Sequence, residues 1–209
     1  LPVNTFIATA GAVLQAGANI RFVDVGADYL IDKALAHKAA ARCVIGVDLT
    51  GAPVNPAPVY PWLEGKRYLR DAAQAIGAEV NGVSVANLGE TACFSLHPLK
   101  NLNVAGDGGL VTTNDDEIAT KVRLLRNHGL QDRDTVLMPG FNHRLSSLQA
   151  VVAYRQLTWD GEHGFDWVTG RRIANARCYD EALADCPMVR LLPRDPKVKA
   201  VYHTYVIRA

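Results

Sequence analysis

Short apolar runs alternate with helical stretches at the spacing of a strand–helix–strand unit, and this constrains the chain's fold more than any other feature. The run "CVIGVDL", residues 43–49, is apolar almost without interruption, so both of its faces must be covered. A sheet wetted on one side would instead alternate apolar and polar positions. "KRYLRD" (66–71) reads as a further short strand, "GGLVTT" (108–113) as another, and "IRFVDV" (20–25) alternates like a strand. Between them "YLIDKALAHKAA" (29–40) reads as a short helix and "YPWLEG" (60–65) as a helical or loop piece. The expectation is an α/β fold with a mainly parallel central sheet flanked by helices.

The helices announce their ends. Residues 5–18 are Ala-rich, with Thr5 as the expected N-cap and Gly17 at the stop. In "NDDEIATKVRLLRNHG" Asn114 is the expected cap, acids fill the first turn, basic residues the last, and Gly129 closes the segment. Residues 145–158 and 166–186 also read as helices, joined by the Gly-rich "DGEHGF", and "VYHTYVI" (201–207) as a closing strand. The β/α alternation gives way to long helices around residues 140–157. A boundary near 155 follows, with a large domain over 1–155 and part of a small C-terminal domain over 156–209. No internal repeat or low-complexity tract is present.

Hydrophobic residues at 49% and charged residues at 21% are ordinary for a folded globular chain. A formal charge of +1 without basic blocks excludes nucleic acid and anionic membranes as expected partners. Residues 1–20 carry no charge, but Asn4, Thr5, Thr9, Gln15 and Asn19 are too polar for a lipid-facing helix, and no basic segment leads them. Cys43, Cys93, Cys178 and Cys186 form no C-x-x-C pair and sit in apolar or helical text, which predicts reduced, mostly buried thiols and a cytoplasmic setting. The six histidines are scattered, so no metal site is expected.

The chemistry concentrates in "FSLHPLKNLNVAGDGGLVTT", residues 94–113, where Lys100 stands between a strand-like segment and a glycine-rich turn. A lysine acts as a nucleophile by forming a Schiff base with a carbonyl, and in pyridoxal phosphate enzymes an acid, typically Asp, must keep the pyridine nitrogen protonated. "RDAAQAIGAE" supplies Asp71 at a strand end, where α/β sheets place their ligands, with Gln74 three residues on. Ser95, on what reads as a strand tip, could hydrogen-bond a phosphate. A lone lysine after a strand is ordinarily solvated and an Asp at a strand end ordinarily caps a helix, so spacing alone leaves both readings open. His97 falls on the same side of an extended segment as Ser95, where facing a substrate and simple packing are equally open. Gly106, Gly108 and Gly109 match no phosphate-loop spacing and read as a tight turn. His128 reads as a cation at a helix C-terminus, and Trp159 and Trp167 as packing residues.

Four segments, taken in order, resemble one family: "VNTFIATAGAVLQAGANIRFVDV", "DAAQAIGA", "ACFSLHPLKNLNVAGDGGLVTTNDDEIATKVRLLRNHG" and "GFNHRLSSLQA". The chain is similar over nearly its whole length to the DegT/DnrJ/EryC1/StrS sugar aminotransferases. The resemblance implies a fold-type I pyridoxal phosphate-dependent transferase that moves an amino group from glutamate or a similar amino-acid donor to a keto-sugar, nucleotide-linked in the expected case. It implies pyridoxal 5'-phosphate attached to Lys100, Asp71 at its pyridine nitrogen, Gln74 against the ring or its phenolic oxygen, Ser95 at the phosphate and Phe6 stacked on the ring. Asn142, from G-F-N-H-R, would enter the neighbouring subunit's phosphate site, so the active site is shared across a homodimer, and Arg144 would bind substrate or an interface acid. Cell-surface polysaccharide or other sugar biosynthesis is the implied setting.

The resemblance also implies departures. The family's S-G-T-x-A-L phosphate-binding turn and the rest of its small domain have no counterpart in these residues, which leads us to expect a fragment that holds the cofactor weakly. Arg70 stands where the family usually has Glu, and would disturb Asp71 only if their side chains met, which strand alternation opposes. Two neighbouring readings stay open: an aminocyclitol or aromatic-precursor synthase using the same residues, and a non-catalytic fragment retaining the fold. Lys100 argues against the family's sugar dehydratases, which replace that lysine, usually with His.

Overall fold

The computed structural model describes residues 1–55, 63 and 65–209. The reading of residues 60–65 as a helical or loop piece falls mostly outside that set. Helix α1 spans Ile7–Gln15 and α2 spans Lys33–Lys38. Strand β1 is Cys43–Val47, β2 Arg67–Asp71, β3 Glu79–Val80, β4 Val83–Ser84, β5 Thr91–Ser95 and β6 Gly109–Thr113. Helices α3 (Asp116–Leu125), α4 (Ser147–Thr158) and α5 (Phe165–Leu183) follow, then the two-residue strands β7 (Arg190–Leu191), β8 (Val198–Lys199) and β9 (Ile207–Arg208).

The main sheet has the order β1-β2-β5-β6. β1 and β2 pair in parallel from Cys43↔Arg67 to Val47↔Asp71, β2 and β5 pair in parallel from Leu69↔Thr91 to Asp71↔Cys93, and β6 returns antiparallel. The sheet is therefore mainly parallel, as the uninterrupted apolar run of β1 predicts. One buried cluster, including Ile31, Val44, Val54 and Tyr68, covers one side of β1 and β2. Another joins Ala72, Ala75, Phe94 and Val201, so a residue near the C-terminus lies in the same core as the start of the chain after β2. β8 pairs with β3 through Val80↔Val198 and draws that C-terminal segment in.

Several local expectations are corrected. Thr5 does not cap α1: Phe6 is the N-cap residue, and the Thr5 hydroxyl lies 2.7 Å from that of Thr9 instead. Gly17 does terminate this helix. At φ +70° its N–H donates to Leu14 O while Ala18 N–H donates to Val13 O, the paired bonds of a Schellman ending. Asp115, not Asn114, caps α3, because its carboxylate accepts from Glu117 N–H and Ile118 N–H, whereas the Asn114 amide reaches back to Gly89 O. Two sequence-predicted strands shrink. Residues 20–25 make only single bridges, Pro2↔Val23 and Val25↔Ile31, and of residues 201–207 only Ile207 belongs to a strand. Strand alternation in sequence does not supply a neighbour to pair with. His128 lies beyond α3 at φ +58°, its N–H bonded to Phe141 O, rather than in the last helical turn. None of the four thiols is fully buried; Cys43 and Cys178 are exposed. Position 155 falls within α4. Among the described residues no helix is long and apolar enough to cross a membrane.

Strand alternation sends Tyr68 and Arg70 to one face of β2 and Leu69 and Asp71 to the other. Arg70 is fully buried and grips Asp48, also fully buried, through Nη1 at 2.6 and 2.9 Å to the two carboxylate oxygens. Nη2 donates to Val54 O at 3.2 Å, and Val54 N–H donates to Asp48 Oδ1 at 2.8 Å. Burial raises the pKa of Asp48, and the guanidinium opposes that rise. The cation beside Asp71 in sequence is thus committed to another acid on the far side of the sheet.

Removing one partner of such a pair strands a charge in the core. Arg70→Met should lower the free energy of unfolding in urea by about 3–5 kcal/mol, and Arg70→Met with Asp48→Leu should recover most of it. A single-variant cost below about 1 kcal/mol, the value of an exposed pair, would contradict this account.

Candidate active site

The carboxyl ends of the adjacent parallel strands β2 and β5 place Asp71 and Ser95 at one edge of the sheet. That edge is where open α/β sheets form ligand crevices. Asp71 is held at both oxygens: Thr9 Oγ1 donates to Oδ2 at 2.7 Å and Ala73 N–H to Oδ1 at 3.1 Å. Thr9 is buried on α1, so this bond also seats the helix whose first turn carries Phe6. Phe6 is 71% exposed, an aromatic face open to a ligand beside the strand edge. Cys93, opposite Asp71 in the register, has its thiol pKa pushed up by burial and by the Asp71 charge.

Beyond Ser95 the chain makes a turn closed by Lys100 N–H donating to His97 O at 2.8 Å. The turn stands on buried Leu96, Leu102 and Val104, with Leu96 N–H bonded to Gly108 O and Val104 N–H to Leu96 O. A β-carbon at Gly108 would come within 2.8 Å of Val104 Cγ2 and 2.9 Å of Leu145 Cδ1, so this glycine serves close packing. Lys100 has its pKa lowered by burial, while the negative Asp71 works in the other direction.

Gln74 lies in the loop after β2, and its Oε1 accepts from Thr50 N–H at 2.6 Å. With the carbonyl oxygen committed, what Gln74 offers a ligand is its N–H₂ donors. Thr50 occupies the left-handed region at φ +62°, and the following Gly51 is so close to residues 201–203 that a β-carbon there would lie 2.9 Å from Tyr202 N. Ser95 Oγ accepts from His97 N–H at 3.3 Å, and His97 Nδ1 accepts from Leu99 N–H at 3.2 Å. His97 thus folds onto its own turn and stays exposed, solvated rather than packed.

Asn142 and Arg144 lie elsewhere. Their loop is laced to the end of α3 by Phe141 N–H to Leu125 O and His143 N–H to Arg126 O, and Arg144 Nε donates to Asn142 Oδ1 at 3.3 Å. Among the described residues no hydrogen bond joins either of them to Asp71, Gln74, Ser95 or Lys100. Sequence reasoning passed over Thr9, Thr50 and Asn101. Thr9 belongs to the quoted "TFIAT", but its partner is 62 positions away, beyond any local period. Buried Asn101 follows the lysine directly and donates to Val201 O at 3.2 Å.

Comparison with known proteins agrees with this arrangement. A UDP-N-acetyl-3-dehydro-alpha-D-glucosamine 3-aminotransferase of Acidithiobacillus ferrooxidans is 38% identical over all of this chain, which covers 56% of that protein. A dTDP-3-amino-3,4,6-trideoxy-alpha-D-glucose transaminase of Streptomyces venezuelae is 34% identical, again over the whole chain and over 55% of its own length. The crystal structure of S. venezuelae DesV in complex with a ketimine intermediate superposes with a TM-score of 0.91 at 34% identity, over 100% of this chain and 56% of that one. The chain thus spans little more than half the length of these relatives. The profile of the DegT/DnrJ/EryC1/StrS aminotransferase family matches residues 1–209, and the chain belongs to that family.

Proposed function

We propose that this chain is the larger part of a pyridoxal phosphate-dependent aminotransferase that transfers an amino group from glutamate or a similar amino acid to a keto-sugar carried on a nucleotide. The observation that carries this reading is the placement of Asp71 at the carboxyl end of β2 and of Lys100 on the turn that follows β5, the adjacent parallel strand. The names of the two relatives, a UDP-sugar and a dTDP-sugar enzyme, support the substrate class. The division near residue 155 belongs to the same reading, with the cofactor-holding residues in 1–155.

The side chains suit the cofactor. A carboxylate fixed at both oxygens can take a pyridine N–H as a third partner, since each oxygen has a second lone pair. Gln74 turns donors, not its acceptor, toward a phenolic oxygen, and exposed Phe6 offers a flat face. Ser95, with its oxygen accepting from His97 N–H, keeps its hydroxyl proton for a phosphate. When bound, pyridoxal phosphate supplies a cationic ring that takes up the electron pair left at carbon when the α-proton departs.

Lys100 has two tasks. Its lowered basicity increases the fraction present as free amine, the form that attacks an aldehyde carbon. With the cofactor bound and an incoming amine in its place, the same nitrogen would serve as general base and acid, taking the proton from the substrate's Cα and giving it to the former aldehyde carbon on the other side of the shared nitrogen. Asp71 would meet the ring nitrogen, and Thr9 fixes its orientation. Asn142 would complete a neighbouring subunit's site and Arg144 bind a substrate or interface acid. A homodimer is supported by the exposed apolar residues Phe6, Ile7, Leu99, Phe141 and Leu148, which include neighbours of the lysine and of Asn142. The setting we propose is cytoplasmic, in keeping with four unpaired cysteines.

Borohydride reduction in the presence of pyridoxal phosphate should fix one pyridoxyl group, and peptide mapping should find it on Lys100. Label elsewhere with Lys100 unmodified would end this reading. Lys100→Ala should lower amino transfer by about 10²–10⁴-fold or more. Asp71→Asn should lower kcat by about 10²-fold, or ~3 kcal/mol of barrier, with the cofactor still bound. Thr9→Val should cost less, because Ala73 N–H still orients the carboxylate, and steady-state kinetics on the three variants should rank them in that order.

A further inference from the structure

Residues 201–204 lie over the lysine's turn and are tied down from three directions. Asn101 Nδ2, next to the lysine, donates to Val201 O at 3.2 Å. From the loop after β1, Gly51 O accepts from Val201 N–H at 2.9 Å and Thr50 O from Thr204 N–H at 3.4 Å. From α5, Arg172 Nη1 reaches Tyr202 O at 3.3 Å and His203 O at 3.2 Å. Val201 is fully buried, and Tyr202 is held in the left-handed region at φ +48°, a conformation an aromatic residue adopts only when its surroundings impose it. Thr50, which anchors this segment by its carbonyl, anchors Gln74 by its N–H.

This clamp carries His203. Its Nδ1 is buried with no hydrogen-bond partner among the described residues. The residue as a whole is half-buried, and a shielded polar atom left without a partner is uncommon and points to a role.

We propose that His203 is a positioning residue of the Lys100 site, carried by a clamped segment that closes over the lysine's turn, shields its amine from water and sets an imidazole beside it. This rests on the reading of Lys100 as the nucleophile. The charged groups that act on His203 are Lys100, from the turn, and Arg172, from α5; together with burial they lower its pKa to about 4. At neutral pH the imidazole is therefore uncharged, and Lys100 faces a polar neighbour that adds no second cation. Burial in turn makes Lys100 less basic. The coupling is reciprocal: neutralising Lys100 must raise the affinity of His203 for a proton.

The test needs no cofactor. In the protein freed of pyridoxal phosphate, acetylation of Lys100 by acetic anhydride is followed against pH by mass spectrometry, with exposed Lys38 as internal reference. His203→Ala should admit water and slow Lys100 acetylation about threefold at neutral pH, a rise of about half a pKa unit. His203→Asn, polar and uncharged, should stay near wild type. A His203→Ala profile that superimposes on wild type, or an Asn variant shifted as far as the Ala variant, overturns the proposal. Should His203→Ala not fold, NMR titration of His203 in Lys100→Met decides: its midpoint should rise from about 4, and an unmoved midpoint overturns the proposal. Borohydride labelling of Lys100 is independent of these readouts, so failure of the coupling and failure of the cofactor reading are separately visible.

Discussion

Parallel pairing of β2 with β5 is the constraint from which the site follows. Asp71 ends β2 in register with Cys93, and Ser95, two residues further on, ends β5 at the same edge. The chain can then reach Lys100 in one tight turn, and an acid at the end of one strand and an amine just past the next stand at the same end of the sheet. A register slipped by one residue would turn Asp71 to the other face, into the place of Arg70. The buried Asp48–Arg70 pair guards against that slip, because only the observed register lets both charges be matched. The residue that departs from the family's usual Glu thus supports the strand without entering the site.

The site is built in two layers. Main-chain turns standing on Leu96, Leu102 and Val104 set where Lys100 emerges, and hydrogen bonds from Thr9, Ala73 and Thr50 set which atoms of Asp71 and Gln74 remain available. This division suits a residue that must move. In the proposed reaction Lys100 would change partners whereas Asp71 and Gln74 would not, and among the described residues side-chain hydrogen bonds hold the latter two. The C-terminal segment closes the arrangement from above, tied to Asn101, Thr50, Gly51 and Arg172.

Chemistry was more legible than local geometry. Lys100, Asp71, Gln74 and Ser95 stand out because their residue types and order match a chemical requirement, and the fold gathers them at one sheet edge. His97 shares the segment, yet its ring is used by Leu99 N–H, a local bond that competes with any ligand. The caps at Thr5 and Asn114 each lie one residue off: Asp115 competes with Asn114 for the cap of the later helix, while the Thr5 hydroxyl turns to Thr9 and leaves Phe6 at the N-cap position without a side-chain bond. Residues 20–25 and 201–207 have strand-like patterns but lack partners along most of their length.

By itself the sequence determined the α/β class and the mainly parallel sheet, because periodicity is a local property, and it pointed to Lys100 and Asp71 through the resemblance of their segments to one family. Only the tertiary structure decided which oxygen of Asp71 meets Thr9, that Arg70 turns away to Asp48, and that Val201 comes to lie against Asn101, 100 positions earlier. Contacts at such separations depend on strand register and on loop closure, and no pattern within a short window encodes either.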